Sequence, residues 1–196
     1  MRITVSKNTI ALFICLMLSG SASATVMVQE NDESIIQRSQ YVMTGTVEGI
    51  DNLLEKNSMP FQYISFRIEK IYKNNTEAPL LQDGKIVIRQ IGGTVNGRTL
   101  DVGGLTKFVE GSKMLLSISV DEATGYYYVI GNEQGSYYML DNDLINDTRD
   151  EGMSLSTVGD DGEVRIVEGE VRQITLQQME EKIQNVAADE AERLEE

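Results

Sequence analysis

The sequence contains no histidine, and Cys15 is its only cysteine. Catalysis by Ser-His-Asp or Cys-His groups is therefore excluded, as are the usual zinc sites and haem ligation through histidine. An enzyme of this composition would need a carboxylate pair, a lysine or a tyrosine–serine arrangement. Carboxylates are abundant, but none lies in an apolar run that would raise its pKa. The sequence accordingly predicts no catalytic, cofactor-binding or metal-binding residues, and a protein that is not an enzyme.

Basic residues are also scarce. The chain has 17 lysine and arginine residues against 31 aspartate and glutamate residues, which gives a formal net charge of −14. Such a surface repels phosphate backbones and anionic lipids, so it argues against nucleic acid as a partner. A basic protein or a divalent cation is compatible with this charge.

Apolar runs long enough to span a bilayer are absent. The N-terminal run, residues 10–18, follows Arg2 and Lys7 and precedes small residues that end in Ala24. This order of a positive, an apolar and a small-residue segment is typical of a secretory signal peptide. We therefore expect residues 1–24 to be cleaved after Ala24 and the protein to be exported, to the periplasm or out of the cell. The mature chain would contain no cysteine, so its fold must depend on its core.

Short β-rich runs separated by glycine-containing turns dominate the rest of the chain. Apolar alternation and β-branched or aromatic residues predict strands near residues 41–50, 61–72, 85–91, 113–120, 126–130 and 137–140. Residues 163–173 are expected to form either a last hairpin or one strand near residues 164–167. In the second run, Ile64 and Phe66 are expected to face the core. Gly45 and Gly49 in the first run predict bulges or bends of the kind that close a barrel. Residues 25–188 are thus expected to form one mainly β domain, a small antiparallel barrel.

Two helices are predicted to accompany the strands. A short N-terminal helix has Asp32 as its candidate N-cap. Near the C-terminus, Thr175 and Gln178 have the spacing of a capping box. The apolar side chains that follow share one helical face: Leu176, Met179, Ile183 and Val186. An amphipathic helix from Thr175 to about Ala188 is therefore expected to dock on the sheet, and residues 189–196 are expected to form an acidic tail.

Five of the eight tyrosines lie between Tyr126 and Tyr138. Tyrosine joins a large apolar ring to a polar hydroxyl group, and it is enriched at interfaces. Tyr126, Tyr128 and Tyr137 are therefore the candidate contact surface. Packing of the same rings within the barrel wall is the alternative that the sequence leaves open.

Two loop segments share features with ligand-binding motifs without matching them. The glycine-rich residues 92–104 are not followed by the helix that a phosphate-binding loop needs, and Asn96-Gly97 favours a tight turn. The acidic residues 141–162 do not fit the ligand spacing of an EF-hand and are expected to form a solvated loop. Asn146 begins an N-glycosylation acceptor pattern in this segment. A calcium site of another kind stays open, built from Asp141, Asp143, Asp160 and Asp161.

Four short motifs at strand ends follow one another along the chain: Gly45-Thr46-Val47, Ile91-Gly92-Gly93, Phe108-Val109-Glu110-Gly111 and Gln134-Gly135. With the strands around them, they resemble a family of secreted bacterial proteins of uncharacterised function, some of which accompany matrixin-type metalloprotease domains. The resemblance covers residues 35–140 and the closing helix. It implies an exported location and a barrel similar to the oligonucleotide/oligosaccharide-binding (OB) fold, as in the tissue inhibitors of metalloproteinases. The N-terminal cysteine of those inhibitors has no counterpart, since the mature chain would begin at Thr25.

The sequence thus favours an exported, non-catalytic binding or interaction domain whose ligand is an unidentified protein or glycan. Two alternatives from other classes stay open. The resemblance implies a regulator or chaperone of a co-secreted protease, and the abundant carboxylates permit a hydrolase that acts on cell-envelope glycans. No cofactor is expected, and calcium is the one metal ion that the acidic segment leaves as a candidate.

Overall fold

The computed structural model describes residues 25–55, 59–75, 84–147, 153–158, 163–167, 169 and 171–195. The expected signal peptide, residues 1–24, lies outside these ranges. The described chain is mainly β, with a closed barrel of five strands and a C-terminal helix. None of its helices is long and apolar enough to cross a membrane.

The elements follow one another in a simple order along the chain. The strands are β1 (Thr25–Val28), β2 (Tyr41–Leu54), β3 (Pro60–Asn74), β4 (Lys85–Ile91), β5 (Gly93–Val95), β6 (Arg98–Leu100), β7 (Lys113–Val120), β8 (Tyr127–Val129), β9 (Ser136–Leu140), β10 (Asp143–Asp147), β11 (Met153–Val158), β12 (Val164–Val167) and β13 (Val171–Thr175). The helices are α1 (Asp32–Arg38) and α2 (Leu176–Glu195), and a 3-10 helix covers Asn132–Gly135.

Five strands close the barrel in the order β2-β3-β4-β8-β7, and β7 pairs again with β2. Four of the five neighbouring pairs are antiparallel. The strands β4 and β8 run parallel where Ile88 is paired with Tyr127. The expectation of an antiparallel barrel is therefore correct only in part. An odd number of strands cannot alternate in direction all the way round a closed ring, so at least one pair has to be parallel.

Irregular pairing bends β2 around the barrel, as the glycines in this strand predict. The register of β2 against β3 shifts between Thr44 and Gly45 and again between Val47 and Gly49. A Cβ atom on Gly45 would lie 2.1 Å from the carbonyl oxygen of Arg67. The close approach of the two strands at this point therefore requires glycine.

The two faces of the barrel sheet belong to two separate cores. The inner core fills the barrel and includes Ile64 and Phe66, as the alternation of β3 predicts. The outer core lies between the sheet and the two helices and contains Ile36, Val42, Leu115, Tyr137, Leu144, Met179, Ile183 and Val186. Successive side chains of a strand point to opposite faces, so β2 and β7 contribute to both cores. The predicted docking of the apolar face of α2 on the sheet is confirmed.

Outside the barrel, the sheet continues from β7 through β9 and β10 to β13. Residues 118–120 of β7 pair with β8, whereas residues 114–116 pair with β9. The strand β8 therefore closes the barrel, and β9 extends the sheet outside it. A separate three-stranded sheet contains β1, β11 and β12. The solvated loop expected over residues 141–162 is wrong in part, because β10 and β11 lie within it and satisfy their backbone groups by pairing with other strands.

The two helix starts differ in how well the sequence predicts them. Asn31, rather than Asp32, is the N-cap of α1, because its side-chain oxygen accepts a hydrogen bond from the Ser34 amide at 2.8 Å. The capping box of α2 is confirmed. The Gln178 amide donates to the Thr175 hydroxyl oxygen at 3.2 Å, and the Thr175 amide donates to Oε1 of Gln178 at 2.9 Å. Asp32 is left free to contact the outer core.

Helix α2 runs to Glu195, beyond the end near Ala188 that the sequence predicts. Lys73 supports the added turns, because its Nζ atom donates to Oε1 of Glu190 at 3.0 Å. The same Nζ atom donates to the carbonyl oxygen of Ile36 at 2.8 Å. One buried lysine thus ties the last turns of α2 to the end of α1. The residues expected to form an acidic tail are helical up to Glu195.

Candidate ligand-binding site

The structure brings two of the three candidate contact tyrosines together and separates the third. Tyr126 and Tyr128 line a groove of about 450 Å³ on the outside of the barrel, together with Arg89. Tyr128 is 43% exposed, whereas Tyr137 is 3% exposed and packs in the outer core. The Tyr137 hydroxyl group donates to Oδ1 of Asp32 at 2.6 Å. Tyr137 is therefore not available as a contact surface in the folded protein, because the helices cover the face of the sheet on which it lies.

The turn between β7 and β8 positions the two tyrosines of the groove. Its Asp121 side chain accepts hydrogen bonds from a backbone amide at 3.0 Å and from the Thr124 hydroxyl group at 2.7 Å. The bond from Thr124 is the main cause that lowers the pKa of Asp121. In the strand that follows, Tyr127 points into the barrel core, so Tyr126 and Tyr128 face outwards. A hydrogen-bonded turn and the strand alternation thus place both rings on one surface.

Side chains of β3 and β4 continue this surface beyond the groove. The guanidinium carbon of Arg89 lies 3.9 Å from the centre of the Phe61 ring. The rings of Tyr63 and Tyr126 meet edge to face, with 5.2 Å between their centres. The alternation of β3 indicates that Phe61 and Tyr63 face outwards, and outward aromatic rings are the sequence signal that could have identified them. Arg89 carries no such signal.

Glu55 follows the last residue of β2 and closes one end of the surface. Its carboxylate accepts hydrogen bonds from Nε and Nη2 of Arg89 at 2.5 and 2.6 Å, and from the Tyr63 hydroxyl group at 2.5 Å. The bonds from Arg89, and then the bond from Tyr63, lower the pKa of Glu55 from 4.5 to about 2. The bond to Glu55 is also the main cause that raises the pKa of Tyr63. At neutral pH the carboxyl group is ionised and the phenol is protonated, so the cluster suits binding better than proton transfer.

A second groove lies beside the end of the β2–β3 hairpin. It has a volume of about 520 Å³ and is lined mostly by apolar side chains, which are Leu54, Met59, Pro60, Val95 and Leu100. Leu54 and Met59 are exposed at the end of the hairpin. The hairpin end thus lines an apolar groove that shares no lining residue with the groove that contains Arg89 and the tyrosines.

The described residues contain no group of three or more histidine, cysteine, aspartate or glutamate side chains that could hold a metal ion. Of the four aspartates considered for calcium, Asp160 and Asp161 lie outside the described ranges. Oδ2 of Asp143 accepts a hydrogen bond from Nε2 of Gln173 at 3.1 Å, and Asp141 is exposed at the turn between β9 and β10. Within the described part of the chain, Asp141 and Asp143 therefore do not form a cation site.

Asn146 is buried in β10. Its Nδ2 atom donates to the carbonyl oxygens of Glu133 and Ser136, both at 2.6 Å. The amide nitrogen that glycosylation would modify is therefore inaccessible in the folded protein. The acceptor pattern at this residue reflects a structural asparagine.

Comparison of the sequence with protein-family models finds no match, and neither does comparison with curated proteins. The function therefore has to be inferred from the geometry of the barrel and its grooves.

Proposed function

We propose that this protein is an exported, non-catalytic domain that binds a glycan on the outer face of an OB-type barrel. In the OB fold, the first strand pairs with the second and the fourth, and the third strand runs parallel to the fifth. The strands β2, β3, β4, β7 and β8 have these relationships when they are counted as the first to fifth strands of the barrel. The resemblance at the turn motifs supports the same fold.

The position of the groove carries the proposal. OB domains bind oligonucleotides and oligosaccharides on the face of their second and third strands, between the loops that follow the first and fourth strands. In this chain, the corresponding strands carry Tyr63 and Arg89. The corresponding loops carry Glu55 and Tyr126. These four side chains form one connected surface, so the groove lies where an OB domain would bind its ligand.

Charge and side-chain chemistry favour a saccharide at this position. The chain has a formal net charge of −14, and the groove itself contains Asp121 and Glu122. The positive charge of Arg89 is already paired with Glu55. A phosphate backbone would be repelled, whereas sugar rings can pack on tyrosine rings and form hydrogen bonds with their hydroxyl groups.

Calorimetric titration with soluble neutral and acidic oligosaccharides tests the proposal. We expect Tyr126→Ala and Tyr128→Ala each to weaken binding by about two- to thirteenfold, since one aromatic contact contributes about 0.5–1.5 kcal/mol. Leu140→Ala is the control, because this exposed side chain on β9 lies outside the groove. Unchanged affinity in both tyrosine variants, or no binding by the wild-type protein at millimolar concentrations, would contradict the proposal.

A further inference from the structure

The carboxylate of Glu55 occupies a cradle formed by side chains of two barrel strands. Two N–H groups of Arg89 and the hydroxyl group of Tyr63 donate to it, at distances of 2.5–2.6 Å. The guanidinium carbon lies over the Phe61 ring, 3.9 Å from its centre, in a cation–π contact. Paired donation by one guanidinium group is the geometry with which arginine recognises carboxylates. The cradle therefore has the chemistry of a carboxylate-binding site.

The side chains that form the cradle belong to barrel strands, whereas Glu55, which occupies the cradle, lies outside the strands. Tyr63 and Arg89 are paired across β3 and β4. Glu55 lies beyond the end of β2, and its backbone amide donates to the carbonyl oxygen of Met59 at 3.0 Å. This backbone contact does not depend on the side chain. Rotation of the Glu55 side chain alone would therefore empty the cradle without opening the hairpin.

Release of Glu55 leaves behind an Arg89 charge that is only partly buried. The side chains of Arg89 and Glu55 are each 25% exposed, so the freed carboxylate can return to water. A carboxylate that entered from a ligand would restore the charge pair with Arg89. Removing one partner of a buried ion pair is costly because the remaining charge is left buried and unpaired. In this exchange the pair is partly exposed, and the carboxylate of the ligand takes the place of Glu55.

We propose that Arg89 and Tyr63 form a carboxylate-binding subsite. In the free protein the Glu55 carboxylate occupies this subsite, and in the complex the carboxylate of a uronic-acid sugar of the bound glycan displaces Glu55. The inference rests on the proposed function, because it specifies the ligand class of the same groove. The Tyr126 ring contacts Tyr63, so a sugar ring packed on the tyrosines can direct its carboxylate towards Arg89. Glu55 competes from within the chain and reduces the apparent affinity for acidic ligands.

A neutral oligosaccharide that carries one uronic-acid residue, and the methyl ester of that oligosaccharide, are suitable probes, because they differ in the charge of a single carboxyl group. We expect Glu55→Ala to bind the acidic form about tenfold more tightly than the wild-type protein does, and the ester with unchanged affinity. The added substitution Arg89→Met should abolish the gain. Glu55→Gln should show a gain in the same direction while it retains the shape of the side chain, so the result does not depend on Glu55→Ala being well folded.

Glu122→Gln is the matched control, because it removes another carboxylate of the same groove. An equal gain in this variant would attribute the effect to general charge and overturn the inference. Equal affinity of the wild-type protein and both Glu55 variants for the acidic form, with the ester still bound, would overturn the inference and leave the proposed function standing. Absence of binding of either probe, and of the other oligosaccharides, to any variant would overturn both.

Discussion

Tyr63 and Arg89 lie directly opposite each other in the antiparallel β3–β4 pair, and both donate hydrogen bonds to the carboxylate of Glu55. The two strands therefore present a fixed pair of donors on the outer face of the barrel. Glu55 and Arg89 are 34 positions apart in the sequence, so the strand pairing brings their charges together. This contact couples the stability of the hairpin end to the protonation of one carboxyl group.

The first prediction concerns the pH dependence of stability. The pKa of Glu55 falls from 4.5 to about 2 on folding, so its ionised form stabilises the native state. The wild-type protein should be more stable than Glu55→Gln above about pH 4.5, and the difference should decline as the pH falls through about 2. Thermal unfolding followed by circular dichroism between neutral and acidic pH measures this difference. Glu192→Gln, an exposed substitution on α2, should follow the wild-type profile. A pH-independent difference for Glu55→Gln would rule out the coupling.

The second prediction concerns the two glycines of β2. A Cβ atom on Gly45 would lie 2.1 Å from the carbonyl oxygen of Arg67 and 2.6 Å from the Phe66 ring, whereas one on Gly49 would meet no atom within 4 Å. Gly45→Ala should therefore lower the free energy of unfolding by about 1–3 kcal/mol or more. Gly49→Ala should change it by less than about 0.5 kcal/mol or raise it slightly. Urea unfolding followed by tyrosine fluorescence measures both variants, and equal losses would show that β2 and β3 are not closely packed at Gly45.

The third prediction concerns the lysine that joins the two helices. The side chain of Lys73 is 3% exposed and donates to Glu190 and to the end of α1, whereas that of Lys70 is 59% exposed and pairs with Glu180. Lys73→Met should destabilise the protein by about 2–3 kcal/mol, because it leaves partly buried acceptors without their donor. Lys70→Met should cost less than about 1 kcal/mol, since exposed ion pairs contribute little.

A double-mutant cycle measures how much the contact between Lys73 and Glu190 contributes to the third prediction. Glu190→Gln combined with Lys73→Met should show a coupling of about 1 kcal/mol in urea unfolding experiments. Losses that simply add, or a Lys73→Met variant as stable as Lys70→Met, would mean that the last turns of α2 are held by other contacts.

Local patterns account for the parts of the fold that could be predicted. The period-two alternation of β3 identified Ile64 and Phe66 as core residues, because side-chain direction in a strand depends only on neighbouring residues. The capping box at Thr175 and the bends at Gly45 and Gly49 are likewise short-range properties of the backbone. The strands β10 and β11 lie in a segment that is acidic as a whole, and the alternation in β11 covers only Met153 to Ser156. Partners distant in the sequence stabilise both strands.

The candidate site, like the fold, could be predicted only where a local sequence pattern marks its residues. The sequence drew attention to tyrosines between residues 126 and 138, and Tyr126 and Tyr128 do line a groove. It could not separate them from Tyr137, because exposure depends on which face of the sheet the helices cover. Arg89 and Glu55 had no distinguishing pattern, since an ion pair between distant positions leaves no periodic trace in a single sequence.

By itself, the sequence determined the strands that line the barrel core, the bends of β2 and the start of the C-terminal helix. Only the tertiary structure decided that β8 runs parallel to β4, because the parity of a closed ring of five strands is a property of the whole sheet. It also placed Tyr137 under the helices and brought Glu55 to Arg89. The lack of histidine and cysteine limits which chemistry the protein can perform, but the closure of the barrel determines which side chains meet on its surface.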